Sequence, residues 1–260
     1  ELANDPVALG DLVGEVQKAR LLSHPHIIRI HDYVKLADEL PFVTMEFVDG
    51  SDLGSLRNQQ PNGHFSWVRL EGLIVQMCEA LQYAHEQQII HRDLKPANVM
   101  ITRNGSLKLA DFGIAASVSE KGPQVAMEGD SSGTMIYMSP QQMRGLHPHP
   151  TDDIYALGAT LYDLLTTRPP FYKGDIYQQV QEANPTRLSQ RLREFNLSND
   201  VPSHAEDAIM QCLEKDPAKR PPSAKELAKL FHPGSEAPPP PPETTNTSTS
   251  SVPAETCGVK

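Results

Sequence analysis

The sequence predicts an α+β protein in which a small mixed segment precedes a larger, mostly helical one. Apolar residues recur at helical spacing from Val7 to Leu22, and a strand-like region follows from Ile27 to Val48. Amphipathic helical segments dominate the chain after that region. Beyond Phe231 the composition changes to a polyproline run and a Ser/Thr-rich stretch, which predicts a linker over residues 233–260 and not a folded unit.

The strongest helical signal in the larger segment runs from Ser66 to Gln87, with Ser66 as the expected N-cap. Its apolar positions fall on one face, namely Leu70, Leu73, Ile74, Met77, Leu81 and Ala84. Residues 114–150 are predicted to be a long polar loop, and an apolar helix is expected from about Asp152 to Thr166. Two Ser-x-x-Glu capping boxes, which begin at Ser203 and Ser223, predict two more helices.

Composition excludes several classes of function. The chain of 260 residues has a formal net charge of −10 and no basic cluster, which disfavours a nucleic-acid partner. Its three cysteines are widely spaced, which indicates neither a disulfide framework nor a zinc site and suits a reducing compartment. No stretch has the length of a membrane span and no signal peptide is visible. We therefore expect a cytoplasmic protein, with any membrane tether supplied by sequence beyond the linker.

The stretch "HRDLKPANVM", residues 91–100, combines an acid, two cationic side chains, a histidine and an amide in ten positions. Two short strands follow around Asn104-Gly105, a pair that favours a two-residue hairpin turn. With that turn, Asn98 faces Asp111 and Met100 faces Leu109. Facing residues have Cα atoms about 4.5–5.5 Å apart, so an amide oxygen and a carboxylate would be neighbours. Mg²⁺ accepts such oxygen donors together with substrate phosphates, which makes this pair a candidate metal site.

"HRDLKPAN" followed by "DFG" resembles the catalytic and metal-binding loops of bacterial eukaryotic-like Ser/Thr protein kinases, and the resemblance covers roughly residues 7–231. It implies ATP and Mg²⁺ as cofactors and the Ser/Thr hydroxyls of protein substrates as acceptors. Asp93 would accept or orient the hydroxyl proton, and Lys95 would contact the transferring phosphoryl group. Asn98 and Asp111 would hold Mg²⁺. A lysine two places after the aspartate is similar to the Ser/Thr-specific branch.

The resemblance also implies residues for the nucleotide pocket. Glu15 matches the helix glutamate that pairs with the nucleotide-binding lysine. Met45 corresponds to the gatekeeper, and Glu46 to Val48 correspond to the hinge whose backbone meets adenine. Met100 suits the apolar floor under the base.

Structural and regulatory roles carry over in the same way. His91 and Phe112 resemble members of the stacked spine, and Gly113 completes the Asp-Phe-Gly loop. Arg92 is the expected partner of a phosphate in the activation segment. Thr134 belongs to a peptide-docking end, residues 133–142, and is expected near the catalytic aspartate.

The C-terminal helices contribute two further positions. Asp153 matches the helix residue that anchors the catalytic loop, and Arg220 matches the late arginine of the helical lobe. The family's glutamate after Ser-Pro is Gln141 here, so its contact with Arg220 is at most a hydrogen bond between a neutral and a charged group.

One expected part is absent from the sequence. No G-x-G-x-x-G occurs, and no Lys or Arg precedes Glu15. By resemblance, the nucleotide-binding lysine would lie about 15–20 residues before that glutamate, ahead of residue 1. We therefore predict a partial N-lobe (residues 1–48), a C-lobe (residues 49–232) and the linker. The chain is interpreted as an enzyme that is inactive without upstream strands.

Two alternatives remain open. A pseudokinase would use the helical lobe as a binding or scaffold module. A small-molecule phosphotransferase shares the H-x-D-x-x-x-x-N arrangement, but Lys95, the docking segment and the long loop argue against it.

Overall fold

The computed structural model describes residues 6–35, 42–112 and 132–232. The first part of the fold contains helix α1 (Pro6–Ala19) and strands β1 (Ile30–Val34) and β2 (Phe42–Met45). The larger part contains β3 (Gly50–Asp52), α2 (Leu53–Asn58), α3 (Trp67–Glu86), β4 (Val99–Thr102), β5 (Leu107–Leu109), α4 (Ser132–Met135), α5 (Pro140–Met143), α6 (Pro150–Thr166), α7 (Ile176–Glu182), α8 (Leu188–Glu194), α9 (Ser203–Cys212) and α10 (Ala224–Phe231). The predicted linker lies outside the described residues.

The first part forms a small layer of its own. Strands β1 and β2 pair antiparallel, with Val34 opposite Phe42. Helix α1 packs on this pair through Val16 and Ala19, which form a small core with Ile30. The segment before β1 then crosses to the larger part, because Ile28 N–H donates to Leu109 O at 2.9 Å and Leu109 N–H donates to His26 O at 2.8 Å. These bonds join the segment between α1 and β1 to β5.

The predicted register of the β4–β5 hairpin is wrong by one residue. Val99 pairs with Leu109 and Met100 pairs with Lys108. Thr102 N–H donates to Ser106 O at 2.9 Å, so the turn contains three residues and not two. Among the turn residues only Gly105 has a positive φ, of 84°, whereas a two-residue type I′ turn needs two.

The side chain of Thr102 gives the physical reason for this register. Its Oγ1 accepts a hydrogen bond from Ser106 N–H at 3.0 Å and donates to Ser106 O at 2.9 Å. These bonds stabilise the pairing of Thr102 with Ser106. Asn98 consequently lies opposite Ala110, whose N–H donates to Asn98 O at 2.9 Å, and Asp111 is one residue further on.

Helix α6 forms the centre of the core, since every residue from Thr151 to Thr166 is buried. Its N-terminus is held by a capping box between His149 and Asp152. Helix α3 buries the predicted face, except that Leu73 is only partly buried. Ser66 occupies the N-cap of α3, but its side chain caps no backbone N–H.

Neither of the two predicted capping boxes is complete. Helix α9 begins at Ser203 itself, with Pro202 as N-cap. Glu206 instead accepts hydrogen bonds from the Ser189 N–H and hydroxyl, both at 3.0 Å. Ser223 does cap α10, because its Oγ accepts from Glu226 N–H at 3.2 Å.

The segments with few apolar residues contain short helices that the sequence did not predict. The predicted polar loop 114–150 contains α4 and α5, although residues 114–131 lie outside the described part. Helices α2, α7 and α8 were not predicted either. Each has at most seven residues, so the period of its apolar residues gives only a weak signal. Within the described ranges, none of the helices combines the length and apolarity that a membrane span requires.

Candidate active site

The loop before β4 is anchored by the buried carboxylate of Asp153, in the first turn of α6. Its Oδ2 accepts a hydrogen bond from His91 N–H at 2.8 Å and its Oδ1 accepts one from Arg92 N–H at 2.9 Å. Burial opposes ionisation of Asp153, but His85 Nε2 at 2.7 Å and the nearby His91 favour the charged form, and together they hold its pKa below the usual value. Arg92 adopts a left-handed backbone with φ 66°. The carboxylate thus holds the loop in an otherwise disfavoured conformation.

Asp93, Lys95 and Asn98 meet in this loop. Lys95 Nζ lies 2.9 Å from Asp93 Oδ2. Asn98 Nδ2 donates to Asp93 O at 2.8 Å and to Asp93 Oδ2 at 3.0 Å. The other carboxylate oxygen, Oδ1, is buried and has no hydrogen-bond partner within the described part of the chain. A buried, unpaired acceptor costs free energy, so its persistence beside a lysine is a feature typical of a functional site.

Residues 133–142, which the resemblance assigns to a peptide-docking segment, contact the same loop. Lys95 Nζ donates to Thr134 Oγ1 at 2.9 Å, which places Thr134 beside Asp93 through the shared lysine. Gln142, in α5, donates from Nε2 to Arg92 O at 2.5 Å. These two bonds position the residues between them against the catalytic loop.

Asn98 and Asp111 lie at the same end of the hairpin, although they are not directly opposite. Because Nδ2 of Asn98 is occupied by Asp93, its Oδ1 is the atom available to a cation. Asp111 is exposed and has φ 60°, a left-handed conformation that Asp tolerates better than most residues. Two oxygen donors fit Mg²⁺, which commonly takes its remaining ligands from substrate phosphates and water. Among the described residues no cluster of three His, Cys, Asp or Glu side chains offers another metal site.

The rings of His91 and Phe112 pack against each other behind this site, with centroids 4.4 Å apart and an angle of 43° between their planes. Both side chains are buried. Burial lowers the pKa of His91 despite the nearby carboxylates of Asp153 and Asp93, so the imidazole is neutral. Gly113 lies outside the described residues.

On the nucleotide side, Met45 lines a small cavity together with Asp111 and Phe112. Met100, in β4, does not line this cavity. Glu46 forms an ion pair with Lys108, whose Nζ lies 2.8 Å from Glu46 Oε1. The backbone N–H of Glu46 donates to Arg29 O at 2.8 Å. Val48 follows in the segment that joins the two sheets.

Glu15 makes a contact that the sequence did not indicate. Its Oε1 lies 2.7 Å from Arg92 Nη1. Glu15 therefore pairs with Arg92 where a lysine was expected, and Arg92 pairs with Glu15 where a phosphate was expected. Both side chains are mostly buried. No Lys or Arg precedes Glu15 in the sequence, and Arg92 is the cation that packing of α1 brings into reach.

Arg220 makes the hydrogen bond expected with Gln141. Its Nη2 donates to Gln141 Oε1 at 2.6 Å, and Gln141 Nε2 donates to Lys215 O at 2.9 Å. Arg220 also donates to Thr151 O at 2.9 Å, in the first turn of α6. The amide thus bridges α5 and the segment before α10.

Sequence reasoning missed the supporting residues around this site. Gln142 contacts the loop directly, and His85 supports it through Asp153. Tyr137 joins the docking segment to α6 by donating to Asp163 Oδ2 at 2.8 Å. These partners are separated by many residues in the chain, and none belongs to a local pattern. Only the folded structure identifies them.

The chain is similar in sequence to known proteins. Residues 4–231 match the protein kinase domain family. The chain is 35% identical over 235 residues to serine/threonine-protein kinase PknB of Mycolicibacterium smegmatis, which covers 87% of this chain and 36% of that protein. It is 36% identical over 248 residues to PknB of Mycobacterium tuberculosis, which covers 92% of this chain and 38% of the relative.

A solved structure shows the same fold. The crystal structure of the Mycobacterium tuberculosis PknI kinase domain aligns with a TM-score of 0.68 and 26% identity, covering 88% of this chain and 80% of that one. The chain spans a little over a third of the length of the curated relatives it matches.

Proposed function

This chain belongs to the protein kinase family, and from that premise we propose that it transfers the γ-phosphoryl group of ATP to Ser or Thr hydroxyls of proteins. The observation that carries the proposal is the unpaired Oδ1 of Asp93. It is a buried acceptor, held in place by Asn98, with the cation of Lys95 at its side. A substrate hydroxyl is the partner that this acceptor lacks.

Each of these residues has a distinct part in the proposed reaction. Asp93 Oδ1 accepts and orients the hydroxyl proton, while Asn98 holds the other oxygen so that the carboxylate cannot rotate. Lys95 faces both Asp93 and Thr134, so its charge lies where negative charge develops during transfer. Asn98 Oδ1 and Asp111 would hold the metal ion. Mg²⁺-ATP supplies the phosphoryl group and neutralises the charge on its phosphates.

The docking segment supports a protein substrate over a small molecule. Thr134 and Gln142 tie it to the catalytic loop at both ends, so an extended acceptor can lie along it. We place the activity in the cytoplasm, where ATP is found and where the free buried thiols of Cys78 and Cys212 suit a reducing environment. We also retain the division into residues 1–48, 49–232 and 233–260 as a proposal.

A second candidate is a binding module without phosphotransfer. The ion pair between Glu15 and Arg92 favours it, because both charges are used in a contact that involves no nucleotide. In that case the helical lobe would serve as a platform for a partner protein.

The test measures transfer of labelled phosphate from ATP to a Ser/Thr-rich protein such as casein, with and without Mg²⁺. Two forms are compared, the 260-residue chain and the same chain preceded by the glycine-rich and lysine-bearing strands of a kinase relative. We expect Mg²⁺-dependent transfer in the extended form. Asp93→Asn should lower its rate by about 10²–10⁴-fold, the usual contribution of a general base.

The matched control is Asp200→Asn, which makes the same chemical change at an exposed position. It should leave the rate unchanged. Equal rates for Asp93→Asn and the parent would reject the role of Asp93. Absence of transfer in both forms, with nucleotide binding retained, would favour the binding module.

A further inference from the structure

A cluster of positive charge surrounds Tyr172, in the loop between α6 and α7. Arg168 Cζ, Lys173 Nζ and Arg191 Cζ lie 5.9, 5.2 and 5.4 Å from the centroid of its ring. Each separation is within the range of a cation–π contact. The chain as a whole has a net charge of −10, so this cluster is opposite in sign to the net charge of the protein.

Two of the three cations are available to a partner. Arg191 is mostly engaged, because its Nε donates to the Tyr162 hydroxyl at 3.1 Å and its Nη1 lies 3.3 Å from Glu194. Arg168 and Lys173 are exposed, and across the described ranges neither takes part in an ion pair. Solvent, salt or an anionic ligand can therefore reach and screen these two charges.

The buried carboxylate of Asp163 connects the docking segment to the surroundings of Arg168. Tyr137, from that segment, donates to Asp163 Oδ2 at 2.8 Å, and Arg57 Nη1 contacts Asp163 Oδ1 at 2.5 Å. Arg168 is close enough that its charge, with that of Arg57, opposes the rise in the pKa of Asp163 that burial causes. The buried carboxylate of Asp163 is thus used within the protein, and the surface beside the docking segment keeps the positive charge of Arg168 and Lys173.

We propose that Arg168 and Lys173, held over Tyr172, bind an acidic segment of the protein substrate beside the docking segment. The proposal rests on the proposed function and names a substrate class for it. Arginine suits carboxylates because its planar fork makes paired hydrogen bonds, and the ring of Tyr172 limits the positions that both cations sample. An exposed ion pair is a weak interaction, so removing two cations should change affinity by about threefold to tenfold.

The experiment compares two Ser-containing peptides that differ only in four flanking residues, all Glu in one and all Gln in the other. Steady-state kinetics are measured for the active form of the chain and for the double variant Arg168→Gln/Lys173→Gln. We expect the KM of the Glu peptide to rise about threefold to tenfold in the variant, with kcat unchanged. The KM of the Gln peptide should not change. Added NaCl should weaken the preference of the parent.

Matched variants separate this surface from a general effect of charge. Lys225→Gln/Lys229→Gln removes two exposed cations from α10 and should leave both KM values unchanged. Tyr172→Leu removes the ring and should raise the KM of the Glu peptide, whereas Tyr172→Phe keeps the ring and should not.

A direct binding measurement distinguishes failure of the proposed binding surface from failure of the proposed phosphotransfer activity. The anisotropy of the fluorescently labelled Glu peptide is followed without ATP. Binding that depends on Arg168 and Lys173 would support the surface even if no phosphotransfer is found. Phosphotransfer with equal KM values for the Glu and Gln peptides in the parent would overturn the surface and leave the proposed function standing. Absence of both peptide binding and peptide preference would also overturn it.

Discussion

Asp153 is fully buried, yet its two carboxylate oxygens accept hydrogen bonds from two backbone N–H groups, and its Oδ2 lies 2.7 Å from Nε2 of His85. A buried charge is tolerated only where such partners replace water. The left-handed backbone of Arg92 depends on the same bonds. Asp93 is the residue after Arg92, so this one carboxylate connects the core helix α6 to the position of Asp93.

Replacing Asp153 tests this connection. Asp153→Ala leaves the His91 and Arg92 N–H groups buried without acceptors, which should lower the free energy of unfolding by about 2–5 kcal/mol. Asp153→Asn keeps one acceptor oxygen and should cost less. Urea denaturation measures both. Asp200→Ala, at an exposed site, should change the free energy by less than about 0.5 kcal/mol. A cost for Asp153→Ala as small as that control would show that the loop does not depend on the carboxylate.

At the scale of elements, the β4–β5 hairpin shows how one turn sets a register. The pair Asn104-Gly105 correctly indicated a hairpin, but both register and turn length depended on Thr102, whose hydroxyl bonds Ser106. A change of one residue in pairing exchanges the faces of a strand. Asn98 and Asp111 still lie at one end of the hairpin because Asp111 directly follows Ala110, the residue paired with Asn98.

Gly105→Ala tests the turn. The position has φ 84°, and a methyl group added there would meet no atom within 4 Å, so the cost is conformational alone. We expect the free energy of unfolding to fall by about 1 kcal/mol. Gly72→Ala is the matched control, since Gly72 is exposed within helix α3 and also has open space. There the same change should raise stability by about 0.5–1 kcal/mol. Stabilisation at both positions would contradict the three-residue turn.

At the scale of the whole molecule, the neutral His91 couples stability to pH. Burial lowers its pKa below 6.5 in the folded protein, so the unfolded chain binds more protons as the pH falls below that value. The contribution of neutral His91 to the free energy of unfolding is fully present above pH 6.5 and decreases as the pH falls below that value. His24, whose pKa is lowered first by burial, acts in the same direction. Asp153 contributes no slope in this range, because its stabilisation is lost only below its ordinary pKa of 3.8.

We therefore expect the free energy of unfolding to decrease between about pH 7.5 and pH 5, by at most about 1.4 kcal/mol per pH unit for each such histidine. His91→Phe removes one titrating group and should reduce this slope. Phe112→Leu alters the same ring contact but keeps the imidazole, so its slope should equal that of the parent. Chemical denaturation at a series of pH values measures all three. An unchanged slope in His91→Phe would contradict the assignment.

The sequence by itself determined the α+β class, helices α3 and α6, and the loop at residues 91–98. These features are local: amphipathic periods repeat every few residues, and Asp93, Lys95 and Asn98 meet within one short loop. Tertiary structure decided the hairpin register, the pairing of Glu15 with Arg92 and the basic cluster at Tyr172. Some of those contacts join residues that are distant in the chain, and in others a residue could bind any of several partners. The packing of whole elements selects the partner, and local sequence preferences do not encode that packing.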